Sequence, residues 1–211
     1  MWPGIVHFTR VEHLGTIVQQ GLLSDHAVGS ALQHEIGNRN IKAQRTRRVV
    51  PIPPGGVVAD YVPFYFAARS PMMYSIAMGN VPGYAEGTAR IVYLVSDVGR
   101  VLTDGMRVVI SDRNAALHVA AFRPPTVELF AGDFIDWDLM RARYWGQYDD
   151  GSTRADGRER RMAECLVHQK VSWGCITHVV AKSEAVAHEA RLLLGDRLPP
   201  GGVVVRPEWY F

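Results

Sequence analysis

"YVPFYFAARSPMMYS", residues Tyr61 to Ser75, sets five aromatics, two prolines and one arginine within fifteen positions. A core strand is ordinarily rich in valine and isoleucine; this one is built mainly from rings. Its first part, 61 to 67, reads as a buried strand in which Val62, Phe64 and Phe66 need only pack. Its second part, Arg69-Ser70-Pro71, turns the chain and opens a helix, because proline suits a first helical turn.

Working outward, 211 residues with 47% hydrophobic content can bury one substantial core, and chains begin to divide only above roughly 250 residues. The expectation is a single α+β domain. A net charge of +2 is too mild to mark a nucleic-acid binder by itself, since clustering on a surface matters more than the total. Two clusters exist: Arg39, Lys42, Arg45, Arg47 and Arg48, then Arg154, Arg158, Arg160 and Arg161. The start of the chain has no basic leader followed by an apolar run, no stretch approaches the roughly 20 apolar residues of a membrane span, and there are only two cysteines. A monomeric cytoplasmic protein with no membrane contact is expected.

GIVHFT, 4 to 9, reads as a strand feeding a helix over 10 to 20, with Thr9 and Glu12 as a capping box and Gly21 as its stop. A long polar segment, 25 to 60, follows. Strands are expected at 89 to 95 and 106 to 110, and an alanine-rich helix near 113 to 122. A second long polar region, 123 to 161, gives way abruptly to MAECLV. The end reads as a strand at 177 to 183, a helix over 184 to 194 stopped by Gly195, and a last strand from 201.

Cys165, His168, Cys175 and His178 imitate paired zinc-ligand spacing, but residues three apart on a strand point to opposite faces, so no metal site is expected. No nucleophile elbow, phosphate loop or dinucleotide fingerprint occurs. Glu164 stands out as a carboxylate inside an apolar run, where a charge is costly unless paired or used. A salt bridge to an arginine and a catalytic role both fit it. His7, Phe8 and Thr9 lie where a first strand meets a first helix, so their polar groups can meet a ligand, although helix capping for Thr9 and a core position for His7 also fit.

Together, HFTRVEHLGTIVQQGLLS, IKAQR, DYVPFYFAARSPMMY, SDRNAAL, DWDLMRARYW and RRMAECLV resemble, in order, the blocks of the DarT family of DNA ADP-ribosyltransferase toxins. The resemblance covers most of 5 to 170, and DYVPFYFAARSPM and AECLV carry most of its specificity. It implies an ADP-ribosyltransferase-like split mixed β core with surrounding helices and two long functional loops. It also implies transfer of ADP-ribose from NAD+ to a base in single-stranded DNA, thymidine in the better-matching branch, and a macrodomain antitoxin that reverses the mark.

On this resemblance Glu164 falls on the catalytic glutamate, and His7, Phe8 and Thr9 on the segment that grips the nicotinamide end. Thr16 and Ser24 fall on the adenosine side. A functional arginine in the loop before the aromatic strand corresponds to Arg45 or Arg48, with the preference on Arg48. Tyr65, Arg69 and Ser70 become the wall and floor of the NAD+ cleft. His118, Tyr144, Arg154 and Arg158 join the DNA-facing surface, where aromatics stack bases and arginines meet phosphates.

Overall fold

In the computed structural model, which describes residues 2–29, 39–148 and 150–211, the aromatic stretch becomes strand β3 (Tyr61–Tyr65) and helix α4 (Pro71–Ala77). Two devices start α4: the Ser70 hydroxyl accepts the Met73 N–H at 3.2 Å, and Pro71 opens the first turn, where a missing N–H costs nothing.

Around β3 run β1 (Gly4–Arg10), β4 (Ile91–Asp97), β5 (Val108–Ser111), β6 (Phe122–Arg123), β7 (Glu164–His168), β9 (His178–Ala181) and β10 (Val203–Val205). Among the described residues they form one mixed sheet in the order β10-β9-β4-β1-β3-β7-β5-β6, antiparallel except for β9 with β10. Two further short strands, β2 (Leu22–Leu23) and β8 (Lys170–Val171), pair apart from it.

The sheet is nearly cut in two. β1 pairs with β4 along its length, from Gly4↔Asp97 to Arg10↔Ile91, but meets β3 only at Val6↔Tyr65. β3 is fully paired with β7 on its other side, from Tyr61↔His168 to Tyr65↔Glu164. Two well-bonded half-sheets therefore touch at one register pair, adjacent to Glu164, which is the split core expected from the sequence.

Burial follows the two-residue period of the strands. One face carries a continuous apolar layer containing Ile5, Val62, Phe64, Leu94, Ile110, Cys165 and Val179, with α1 (Leu14–Gln20) and α9 (Glu184–Leu194) contributing Leu14, Ile17, Ala187 and Ala190. The other face breaks into two separate clusters, one around Tyr93 with Met73, Ile76 and Tyr210, the other around Tyr61 with Val58, Val109 and Leu166. Register puts Glu164 level with Tyr65 and Ser111 on this second face. The break in the apolar layer leaves room there for a polar site.

Several expected elements differ. The alanine-rich segment 113–122 contains no helix, because its backbone N–H groups are taken by side chains: Ala115 donates to Glu164, Ala116 to Asn114 and Ala121 to Asp112. The helix expected from residue 10 opens as a single tight turn at Val11–His13 before α1, and no capping box forms there, since Thr9 Oγ1 hydrogen-bonds His13 Nδ1 instead. The last strand stops at Val205, ahead of Pro207. Both long polar regions hold short helices: α2 (Asp25–Val28) and α3 (Arg39–Arg45) in the first, and α6 (Val127–Ala131), α7 (Trp137–Arg141) and α8 (Gly157–Arg160) in the second. The part of the first loop at 30–38 lies outside the described residues, as does the side chain of Arg39.

Phe64 is fully buried and Tyr144 is 67% exposed. Phe64→Ala is expected to cost about 3–5 kcal/mol of unfolding free energy, and Tyr144→Ala less than about 0.5 kcal/mol. Urea denaturation of the two variants beside the parent checks both.

Candidate active site

Glu164 is the first residue of β7 and is fully buried. A carboxylate in such a place needs several partners, and it has them. Nη1 of Arg45, the last residue of α3, donates to both carboxylate oxygens, at 3.2 and 2.9 Å. The Ala115 N–H donates to Oε1 at 2.9 Å. The backbone N–H of Glu164 donates to Ser111 Oγ, whose own hydroxyl donates to the Arg113 carbonyl at 2.8 Å. The carboxylate is thus held by one guanidinium and one backbone amide that come from two different connections of the fold.

Arg45 is buried as well, and burial alone would weaken its charge; Glu164, joined by Tyr65 and Asp25, offsets this and the pKa is raised. Its Nη2 is buried with no hydrogen-bond partner among the described residues. An orphaned charged donor is expensive unless a ligand completes it. The same side chain lines a cavity of about 1000 Å³, while Glu164 lies directly behind it. The opening is large enough for a dinucleotide-sized ligand.

His7, Phe8, Thr9 and Tyr65 form part of the cavity wall. His7 Nδ1 lies 2.7 Å from the Pro63 carbonyl oxygen, which can only accept, so Nδ1 carries the hydrogen. Burial lowers the His7 pKa to about 4, so near neutral pH the ring is uncharged and Nε2 is an acceptor. It suits a ligand hydroxyl or amide N–H. The Tyr65 ring stacks on Phe8, centroids 5.9 Å apart and 12° from parallel, and burial followed by the Glu164 charge pushes its phenol pKa up. At another part of the wall Thr16 is present, with Lys42 and Asp25 joined at 3.0 Å.

Other expected positions fall elsewhere. Arg48 does not line the cavity: its Nη2 donates to the carbonyls of His118 and Ala120, both at 3.0 Å, and its guanidinium covers the Phe122 ring. The geometry favours Arg45 over the preferred Arg48. Ser24 and Ser70 are buried caps of α2 and α4 and are absent from the wall. Arg69 lies over the Phe211 ring at 4.2 Å, also away from the wall. His118 and Tyr144 are exposed, and Arg158 is both exposed and in the wall. Arg154 is stacked on Tyr148 at 4.2 Å and lies 3.9 Å from Asp136, with its side chain 9% exposed, and it is absent from the cavity wall.

Sequence reasoning missed the 111–116 turn that supplies the Ala115 amide and places Asn114 in the wall. Ser, Asp and Asn just ahead of the alanines were the available signal, since such side chains compete with helix formation. The four zinc-like residues are separated: Cys165 is in the apolar core, His168 contacts Arg107, Cys175 lies near Ser172, and His178 meets Thr177. Among the described residues no group of three or more His, Cys, Asp or Glu could hold a metal ion, and no helix is long and apolar enough to cross a membrane.

The family model described as "DarT: ssDNA thymidine ADP-ribosyltransferase, DarT" matches residues 6–211. The chain belongs to the DarT family. A curated DNA ADP-ribosyl transferase from Thermus sp. (strain 2.9) is 35% identical over 211 residues, covering 98% of this chain and 95% of the relative. Another, from Mycobacterium tuberculosis, is 34% identical over 212 residues, with 97% and 87% covered. Among solved structures, Thermus sp. 2.9 DarT with ADP-ribosylated ssDNA superposes with a TM-score of 0.87 at 33% identity, covering 99% of this chain and 96% of that one. The same protein with NAD+ gives 0.84 at 32% identity, with 100% of both chains covered.

Two outcomes follow from this geometry. Arg45→Ala strands Glu164 as a buried unpaired charge and is expected to cost about 3–5 kcal/mol, whereas Arg48→Ala gives up hydrogen bonds to carbonyls and costs about 1–2 kcal/mol; chemical denaturation separates them. His7, with its folded pKa lowered, binds a proton more weakly in the native than in the unfolded state. Its contribution is therefore complete above about pH 6.5 and is lost as pH falls from there toward about 4. Glu12, lowered from 4.5 to about 2, acts only in a more acidic window. A His7→Gln variant should lose less stability than the parent between pH 7 and pH 5, as read by denaturation midpoints at each pH.

Proposed function

We propose that this protein transfers ADP-ribose from NAD+ to thymidine in single-stranded DNA and releases nicotinamide. The observation that carries the reading is the buried Glu164 carboxylate, fixed by Arg45 and the Ala115 amide at the split of the sheet, immediately behind a cavity of about 1000 Å³. Family membership and the relatives solved with NAD+ and with ADP-ribosylated ssDNA support the same substrates.

In this reaction the bond from the ribose anomeric carbon to nicotinamide breaks, its electron pair leaving on the nicotinamide nitrogen. A bond to a base nitrogen forms, and one proton is released. Positive charge grows on the ribose as the leaving group departs, and a fixed carboxylate stabilises that charge more in the transition state than in the ground state. Glu164 is that carboxylate. Arg45 remains protonated, its charge reinforced by Glu164, so it serves as a donor and counter-charge and not as a base. Its Nη2, without a partner among the described residues, suits a phosphate oxygen, and the neutral His7 suits a hydroxyl or carboxamide N–H.

The 123–161 region supplies the acceptor side. Tyr144 is 67% exposed and suits the stacking of an unpaired base, and Arg158 stands exposed in the cavity wall. A single strand avoids the cost of flipping a base from a duplex. The product marks template DNA, so the protein acts as a toxin whose partner is a macrodomain antitoxin, working in the cytoplasm.

Incubation with NAD+ and mixed-sequence single-stranded oligonucleotides should give DNA heavier by one ADP-ribosyl group, with fragmentation placing it on thymine. Glu164→Gln, which keeps the size of the side chain, should lower the rate by about 10² to 10⁴. NAD+ consumed with the DNA unmodified, and the label on RNA or protein, would overturn the DNA reading.

A further inference from the structure

We propose that Asn114 selects thymine over cytosine and adenine as the acceptor base, by donating its side-chain N–H to the exocyclic oxygen at position 4 of thymine. The inference rests on the DNA-modifying reading above and assigns its discrimination against amino-bearing bases to one residue. Asn114 adjoins Ala115, the residue whose N–H holds Glu164, so it lies next to the group on which bond exchange depends. Its backbone is tied on both sides: its N–H donates to the Glu159 carbonyl at 3.1 Å, and its carbonyl accepts the Leu117 N–H at 3.1 Å. The side chain therefore projects from a fixed point.

The carboxamide also has a fixed orientation. Its oxygen accepts the Ala116 N–H at 3.0 Å, and only an oxygen can do so, which settles which end is which. The NH2 end makes no hydrogen bond to the described residues, and Asn114 belongs to the wall of the Arg45 cavity together with Arg158 and Met162. This end of the cavity thus offers a built-in donor. Cytosine carries an amino group at position 4, and adenine carries one on the corresponding edge; either would set donor against donor, whereas thymine presents a carbonyl oxygen, as guanine does at position 6, so the contact discriminates against the two amino-bearing bases.

The neighbouring side chains agree with that orientation of the base. Arg158 is exposed, as suits the strand phosphate at the mouth, which directs the base edge remote from the sugar inward. The apolar Met162 can meet the 5-methyl group beside position 4.

The test uses Asn114→Asp, which is nearly isosteric, retains an acceptor for the Ala116 N–H and converts the free end from donor to acceptor. Asn114→Ser is the second variant; it also retains an acceptor for that N–H and removes the donor without installing a new acceptor at the same reach. Oligonucleotides identical except for one acceptor base, thymine or cytosine, are incubated with NAD+ and the product is read by mass. Expected for Asn114→Asp is a loss of about 10- to 100-fold on thymine and a product ratio shifted toward cytosine, with the thermal shift induced by NAD+ unchanged. Asn114→Ser should lose thymine preference without reversing it. Unchanged thymine preference in both variants would overturn the assignment, and so would loss of the NAD+ thermal shift alongside DNA modification, which would place Asn114 in the NAD+ site or the fold. Wild-type protein inactive on every oligonucleotide is a separate result that removes the DNA reading itself.

Discussion

A buried carboxylate is the constraint around which this molecule is arranged. Glu164 sits fully inside the protein at the start of a central strand, and desolvating its charge would cost several kcal/mol without partners. Compensation comes from distant parts of the chain: Arg45 is 119 residues away and Ala115 is 49. The connection before β3 and the turn after β5 must therefore both be in place before the charge is satisfied. One residue makes two otherwise independent connections conditional on each other. Among the described residues Nη2 of Arg45 has no hydrogen-bond partner, as expected for a group that meets a ligand.

The parts of the fold legible in the sequence were those decided by local pattern. Strands such as IVYLVSD, the α9 helix with its Gly195 stop, and the proline that opens α4 all announce themselves within a few residues. Glu164 was legible for a different reason, as a charge where the pattern demanded an apolar side chain. What could not be read locally was anything that depends on a distant partner. Segment 113–122 has helical composition, yet its amides are claimed by Asp112, Asn114 and a glutamate 49 positions downstream of Ala115. Arg45 and Arg48 are both arginines in one basic run, and only the end of α3 decides which guanidinium reaches inward and which crosses to the 118–120 carbonyls. Ser24 and Ser70 illustrate the reverse: their positions looked ligand-facing, but each hydroxyl is used to start a short helix.

The site also separates its electrostatic tasks. His7 is kept neutral by burial, Arg45 is kept charged by its partner, and Tyr65 is kept protonated by burial and by the same carboxylate. These three groups are thereby each held in one protonation state near neutral pH. Such a site presents a fixed pattern of donors and acceptors, the condition under which electrostatic stabilisation needs little reorganisation during a reaction.

The near-division of the sheet decides what carries load between its halves. β1 is bonded to β4 along its full length and β3 to β7 along its full length, but the two half-sheets share only the Val6↔Tyr65 register pair. Side chains do the rest: the His7 ring donates to the Pro63 carbonyl, Phe8 stacks on Tyr65, and the continuous apolar layer spans both halves. The aromatic strand is a seam closed by side chains as well as a wall of the cavity.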